Sequence, residues 1–245
     1  MPPINSLPWY DRFFRHEYLK FDEHPETDLE IEFLLRTLKF KSDTRILDIG
    51  CGYGRHALPI SQKGYSVFGI DRSPVMLSAA QSKNANRNLR LLLSDMRSLP
   101  FSNAFHIALS LFSSFGYFQD EDENFQVLQQ ISSSLLPGGQ FLIETANRDF
   151  IVRHLVPTQV YRPQDLVLIE ERTFDAATSR SQVDITILQN GEETRLNHSI
   201  RLYTYTELQM LLAAAGLVSI AVWGDYRGNA YTYDSPQMIT LAEKL

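Results

Sequence analysis

A chain of 245 residues with 44% apolar and 21% charged side chains has material for one substantial α/β core with an appended element. Its formal charge of −6 and pI near 5.5 offer no basic stripe to a polyphosphate, which argues against a nucleic-acid partner. Cys51 is the sole cysteine, so an intramolecular disulfide is excluded and no metal site is expected; without a signal-like start or an apolar run of ~18–20 residues, a cytoplasmic protein with no membrane partner is expected.

The start, WYDRFFRHEYL, reads as a helix that sets Tyr10 and Tyr18 on one side, and residues 1–40 are expected to form a helical lid segment. Thr44 to Ile49 is a short β-favouring run that stops at glycines, with a helix expected from about Arg55. Ser66 to Ile70 gives a second strand ending at Asp71, followed by Ser73-Pro74 as helix cap and first helical residue. Asn88 to Leu93 gives a third strand closing at Asp95, and Phe105 to Leu109 a fourth that runs into the aromatic loop SLFSSFGYF.

Asp120 and Glu123 have capping-box spacing before a helix with Val127, Leu128, Ile131 and Leu135 on one face. Pro137-Gly138-Gly139 then stops that helix and launches QFLIET. This alternation predicts a doubly wound, Rossmann-like parallel sheet over 41–150 and 204–245, with ligands at the strands' C-terminal ends. Between them, VLIEERTF, SQVDITIL and TRLNHSIRLY are strand-like runs separated by turn regions at Asp175–Ser179 and Asn190-Gly191. An antiparallel β insertion over 151–203 is therefore expected, serving as a substrate cap or a homodimer interface. Thr204 and Glu207 again have capping spacing, Gly216 stops the helix, and two last strands are expected at 217–223 and 237–242.

The chemistry-bearing run is ILDIGCGYG, a strand that enters a glycine loop and then a helix. Its spacing is G-x-G-x-G; the dinucleotide fingerprint would need glycine at Arg55, so a nucleoside ligand without pyrophosphate is favoured. Asp71, 17 residues beyond Gly54, stands where a carboxylate accepts from both ribose hydroxyls. Asp95 is placed to accept from an adenine amine while the Met96 amide serves a ring nitrogen.

On these residues the chain resembles the class I S-adenosylmethionine-dependent methyltransferases, over about 44–146 and 204–243. The resemblance implies a seven-stranded sheet with a reversed final hairpin, and S-adenosyl-L-methionine as cofactor. It implies that Gly50, Gly52 and Gly54 line the methionine part, with Cys51, Arg72, Met96 and Leu111 in the cofactor site. GCGYGRHA, SLFSSFGYF and WYDRFFRHEYL together resemble a bacterial group of small-molecule N- and O-methyltransferases, and Ser110 to Phe118 departs from the Asn/Asp-Pro-Pro-Tyr signature of nucleobase and glutamine methylation.

Methyl transfer needs alignment and exclusion of water more than a base, so the expected catalytic set is an aromatic roof: Tyr10, Tyr18 and Phe115, with Tyr117 and Phe118 nearby. Simple packing of the N-terminal segment onto the sheet is the alternative. His56 is expected to make a structural hydrogen bond, and His16 to lie on the surface. The expected function is methylation of a small-molecule acceptor at N or O. Alternatives are a cofactor-binding protein with a different reaction, or a non-catalytic interaction subunit.

Overall fold

The computed structural model describes residues 7–22, 24–85, 87–163 and 165–245; residues 1–6 of the expected lid lie outside them. The chain opens with α1 (Trp9–Phe13), a 3₁₀ turn at Tyr18–Lys20 and α2 (Thr27–Thr37). The alternating core follows: β1 (Arg45–Ile49), α3 (Ala57–Gln62), β2 (Ser66–Asp71), α4 (Pro74–Lys83), β3 (Leu89–Leu93), β4 (Phe105–Ser110), α5 (Glu121–Ser134) and β5 (Leu135–Ala146). After α6 (Arg148–Arg153) come β6 (Thr158–Tyr161), β7 (Val167–Asp175), β8 (Arg180–Gln189) and β9 (Glu192–Arg201). The chain returns to the core through α7 (Tyr205–Ala214), β10 (Leu217–Trp223) and β11 (Gln237–Lys244).

Seven strands pair in the order β10-β11-β5-β4-β1-β2-β3. Strands β1 to β5 are mutually parallel, and β11 is antiparallel to both β5 and β10. Only β11 is therefore reversed, and β10 runs with the parallel strands. Strand alternation divides the core between two faces. Leu47 and Ile49 pack with Val127, Leu128 and Ile131 of α5 and Leu208 and Leu212 of α7. Ile46 packs with Ile31, Phe33 and Leu34 of α2 and Ala57 and Ile60 of α3. Each such fully buried aliphatic side chain stabilises the fold by roughly 1.5–3 kcal/mol relative to exposure.

Local signals explain the helix ends. Ser73 Oγ accepts from the Met76 amide at 3.2 Å with Pro74 as first helical residue, and Thr204 and Glu207 form the reciprocal capping box. Asp120 caps α5, but Glu123 turns outward to pair with Arg97; a charge-assisted bond outcompetes the neutral amide the box would have offered. Pro137-Gly138-Gly139 lies within β5, which begins at Leu135, and the register against β4 shifts between Phe105 and Ile107.

The insertion is a separate antiparallel sheet, β6-β7-β8-β9, closed between β8 and β9 by the positive-φ pair Asn190 and Gly191. The extra strand β6 is short and mostly exposed, so no apolar alternation announces it. The inward residues Val183, Ile185 and Ile187 pack against Trp9, Phe13 and Tyr18. The N-terminal segment is not one helix: α1 ends after five residues at Phe14 (φ −82°, ψ 71°), which lets aromatic side chains on more than one side turn into the sheet and the loop after β4. No helix among the described residues is long and apolar enough to cross a membrane.

Candidate functional site

A cavity of about 520 Å³ opens over the C-terminal ends of the parallel strands. Its floor includes Gly50, Cys51 and Gly52, its roof Trp9, Tyr10, Phe13, Phe14 and Tyr18, and its far wall Glu170, Ile185, His198 and Ile200 from the inserted sheet. Gly52 has φ +55°, and a Cβ built there would meet no protein atom within 4 Å, so the loop keeps a left-handed turn under open space. That is a cradle in which a ligand approaches main chain.

Asp71 closes β2 beside this loop. Its Oδ2 accepts from the Gly52 amide at 2.8 Å and its Oδ1 from the Ser73 amide at 2.7 Å, which fixes the carboxylate and leaves further lone pairs for hydroxyl donors. Burial pushes its pKa up against those backbone bonds.

Asp95 lines the cavity with Met96, but its oxygens are already engaged: Oδ1 by the Arg97 amide (2.9 Å) and Nε (3.0 Å), Oδ2 by Arg97 Nη2 (2.6 Å) and Arg72 Nη1 (2.5 Å). Burial raises its pKa, and the combined bonds and charges of Arg97 and Arg72 outweigh that and hold it below the usual range. Arg72 also grips Asp11 of α1 at 2.7 and 3.1 Å, so the roof is tied to the ends of β2 and β3. A second tie runs from Ser73 Oγ to the Phe14 carbonyl at 2.6 Å.

Two buried carboxylates escaped the sequence reading. Asp48 on β1 is 3% exposed, lines the cavity, and its Oδ2 has no partner among the described residues. Burial, and next the neighbouring Asp71, push its pKa to about 7. The signal was present as a carboxylate inside an otherwise apolar strand, a placement that normally demands a partner. Glu144 at the end of β5 accepts from the Phe112 amide (2.6 Å), the Tyr226 hydroxyl (2.7 Å) and Gln237 Nε2 (3.1 Å). It thereby anchors the loop after β4, where Phe112 and Ser113 both sit at φ +55°.

The aromatic residues separate into two groups. Tyr10 and Tyr18 line the cavity, Tyr10 stacked on Tyr117 at 6.4 Å and 16°. Phe115 does not line it. It is 2% exposed and packs on Tyr203 in the core, ring centroids 5.3 Å apart. The cause is the turn at Gly116 (φ +88°), where a Cβ would come within 2.3 Å of the Arg201 carbonyl: the loop is pinned to β9, Phe115 turns inward, and Tyr117 takes the cavity position. Leu111 lines the cavity as well. Gly54 lies one step outside, with its amide bonded to the Cys51 carbonyl at 2.9 Å.

His56 is buried and bonded to Glu30 at 2.5 Å, an oxygen that Arg55 also engages; burial lowers its pKa more than Glu30 raises it. It holds α2 to the start of α3 as a structural group. His16 is exposed and outside the cavity.

Residues 46–139 match the family described as "Methyltransferase domain". The chain is 27% identical to the cypemycin N-terminal methyltransferase of a Streptomyces species over 203 residues, covering 81% of this chain and 82% of that protein. The fold is shared with the CcbJ methyltransferase of Streptomyces caelestis (TM-score 0.85, 18% identity, 97% and 98% of the two chains). It is shared too with S-adenosylmethionine-bound CalS10, an amino pentose methyltransferase of Micromonospora echinaspora (TM-score 0.69, 20% identity, 94% of each). The glycine loop that ends in open space and the acidic close of the second strand lie within the matched methyltransferase domain, and the fold around them is the one these methyltransferases share.

Proposed function

We propose that this chain methylates an N or O atom of a small-molecule acceptor held between the glycine loop and the inserted sheet. The observation that carries the reading is the enclosure. The cavity has a cofactor-type floor, an aromatic roof and a far wall from a second sheet, and its volume lies in the ~300–1,000 Å³ range of small-ligand sites.

The residues present fit the cofactor. Gly50, Cys51, Gly52 and Leu111 supply the cradle, with Gly54 fixing the turn beneath it. The Asp71 carboxylate receives ribose hydroxyls, and the Met96 amide serves the adenine ring. Asp95, with both oxygens on arginines, takes the adenine amine by sharing lone pairs with Arg97 and Arg72. The unpartnered Asp48 Oδ2 fits a cationic group, which a sulfonium or an α-ammonium brings. When bound, S-adenosylmethionine supplies the electrophilic methyl group.

The chain's own contribution is positioning and drying. Tyr10, Tyr18 and Tyr117 present ring faces and phenol oxygens around the cavity and exclude water, and the 7–22 segment acts as the lid. The 151–203 region acts as a cap over the acceptor, supported by the burial of its inner face against the chain's own α1. Calorimetric titration with S-adenosylhomocysteine tests the floor. The wild type is expected to bind, and Asp71→Ala to weaken binding about ten-fold or more through loss of charge-assisted contacts. Unchanged affinity in the variant overturns the ribose role.

A further inference from the structure

The far wall of the cavity is not uniformly apolar. Alternation along β7, β8 and β9 sets Leu168, Glu170 and Arg172 beside Ile187, Ile185 and Val183, and His198 beside Val183. Of this face, Glu170 and His198 are the polar side chains that reach the cavity.

Nδ1 of the His198 imidazole is buried with no hydrogen-bond partner among the described residues. The ring lies against Trp9 and Phe13, centroids 6.1 and 5.3 Å away. Buried polar groups are bonded in the great majority of cases, so an unpartnered buried imidazole nitrogen beside a ligand cavity marks a vacant place for a hydrogen-bond partner. Burial, and secondarily the charge of Arg172, hold its pKa down at about 4, so one nitrogen stays an acceptor at neutral pH.

The Glu170 carboxylate is engaged through Oε2 by Arg172, which also donates to Gln159 Oε1 (2.6 Å) and Tyr161 OH (2.8 Å). Its Oε1 has no partner among the described residues. The cavity as a whole is acidic: its lining holds seven carboxylates against two guanidiniums, Arg55 and Arg72, and those are tied to Glu30 and to Asp11 and Asp95. Such a lining draws small cations and opposes anions.

We infer that Glu170 and His198 form the acceptor-recognition wall, and that the acceptor is a small molecule carrying a basic amine whose N–H groups bind Glu170 Oε1 and the His198 imidazole. This rests on the cavity being the methylation site and selects nitrogen compounds from the wider class proposed above. A carboxylate accepts a charge-assisted bond from an ammonium that a neutral hydroxyl cannot match, and loss of one N–H proton to that carboxylate then frees the nitrogen lone pair for the methyl group.

The test uses the full chain saturated with S-adenosylhomocysteine and titrated by calorimetry with matched pairs: glucosamine against glucose, and benzylamine against benzyl alcohol. At least one amine is expected to bind about ten-fold or more tightly than its alcohol. Glu170→Gln and His198→Asn are each expected to remove most of that preference while S-adenosylhomocysteine affinity stays at the wild-type value. The inference is overturned by equal binding of amine and alcohol, by no amine binding, or by variants that retain the full preference. Variants that lose the nucleoside too would show that these side chains serve the fold, which also overturns it. Failure of the wild type to bind S-adenosylhomocysteine would instead refute the cofactor reading.

Discussion

Asp48 shows what one side chain can reveal about a site. A carboxylate that is 3% exposed with an unpartnered oxygen is costly when ionised, and burial displaces its pKa to about 7, well above the usual carboxylate range. Between about pH 4 and 7 the folded apoprotein keeps a proton that the unfolded chain has released, so this group lowers stability as pH rises through that window. Burial shifts Asp71 and Glu144 in the same direction. Asp48→Asn should therefore raise the melting temperature of the apoprotein at pH 8 relative to wild type, with a smaller gain at pH 4. A bound cation reverses the preference. Affinity for S-adenosylmethionine should rise from pH 6 to pH 8 in the wild type, and the slope should flatten in Asp48→Asn. Binding that ignores pH in both proteins would contradict the assignment. Asp71 was legible in the sequence because it stands at the end of a strand after a glycine loop. Asp48 was passed over because a run of apolar neighbours reads as a buried strand whatever sits in its middle.

Between elements, the N-terminal segment and the loop after β4 decide what covers the site. Phe115 belongs to the core beside Tyr203, so Phe115→Ala should lower stability by roughly 3–5 kcal/mol and leave S-adenosylhomocysteine affinity of the folded protein close to wild type. Tyr117→Leu and Tyr10→Phe should do the reverse, slowing single turnover more than they lower the melting temperature. A Phe115→Ala protein of normal stability with slowed turnover would restore the residue to the roof. The clasp from Asp11 through Arg72 to Asp95 gives a third expectation: Asp11→Ala should speed amide hydrogen exchange in residues 7–22 and weaken nucleoside binding. Exchange unchanged from wild type would show that the clasp does not hold the lid. Helical spacing brought Tyr10 and Tyr18 together, but the sequence could not show that α1 stops at Phe14. Aromatic residues on several sides of a short segment fit a helix or a wedge equally well, and only the surfaces of β9 and the β4 loop choose between them.

For the whole molecule, the seven-stranded sheet was legible because its parallel strands leave continuous apolar runs that stop at Gly50, Asp71 and Asp95, in the buried inner strands and in the exposed edge strand β3 alike. The inserted strands were legible through alternation and the Asn190-Gly191 turn. Their inner face was not, since nothing in the order of residues says that Val183 and Ile185 meet Trp9 and Phe13 about 170 positions earlier. Glu170 and His198 were invisible as site residues for the same reason. The architecture that results places a cavity between two sheets beneath the chain's own N-terminal segment, and methyl transfer to a small molecule inside it is what we propose. The most direct measurement is incubation with S-adenosylmethionine labelled by deuterium in its methyl group, a small amine acceptor from the binding tests, and mass spectrometry of all products. The account predicts one labelled methyl on the acceptor for each S-adenosylhomocysteine formed. S-adenosylmethionine consumed with no labelled acceptor, or label found only on macromolecules, would contradict it.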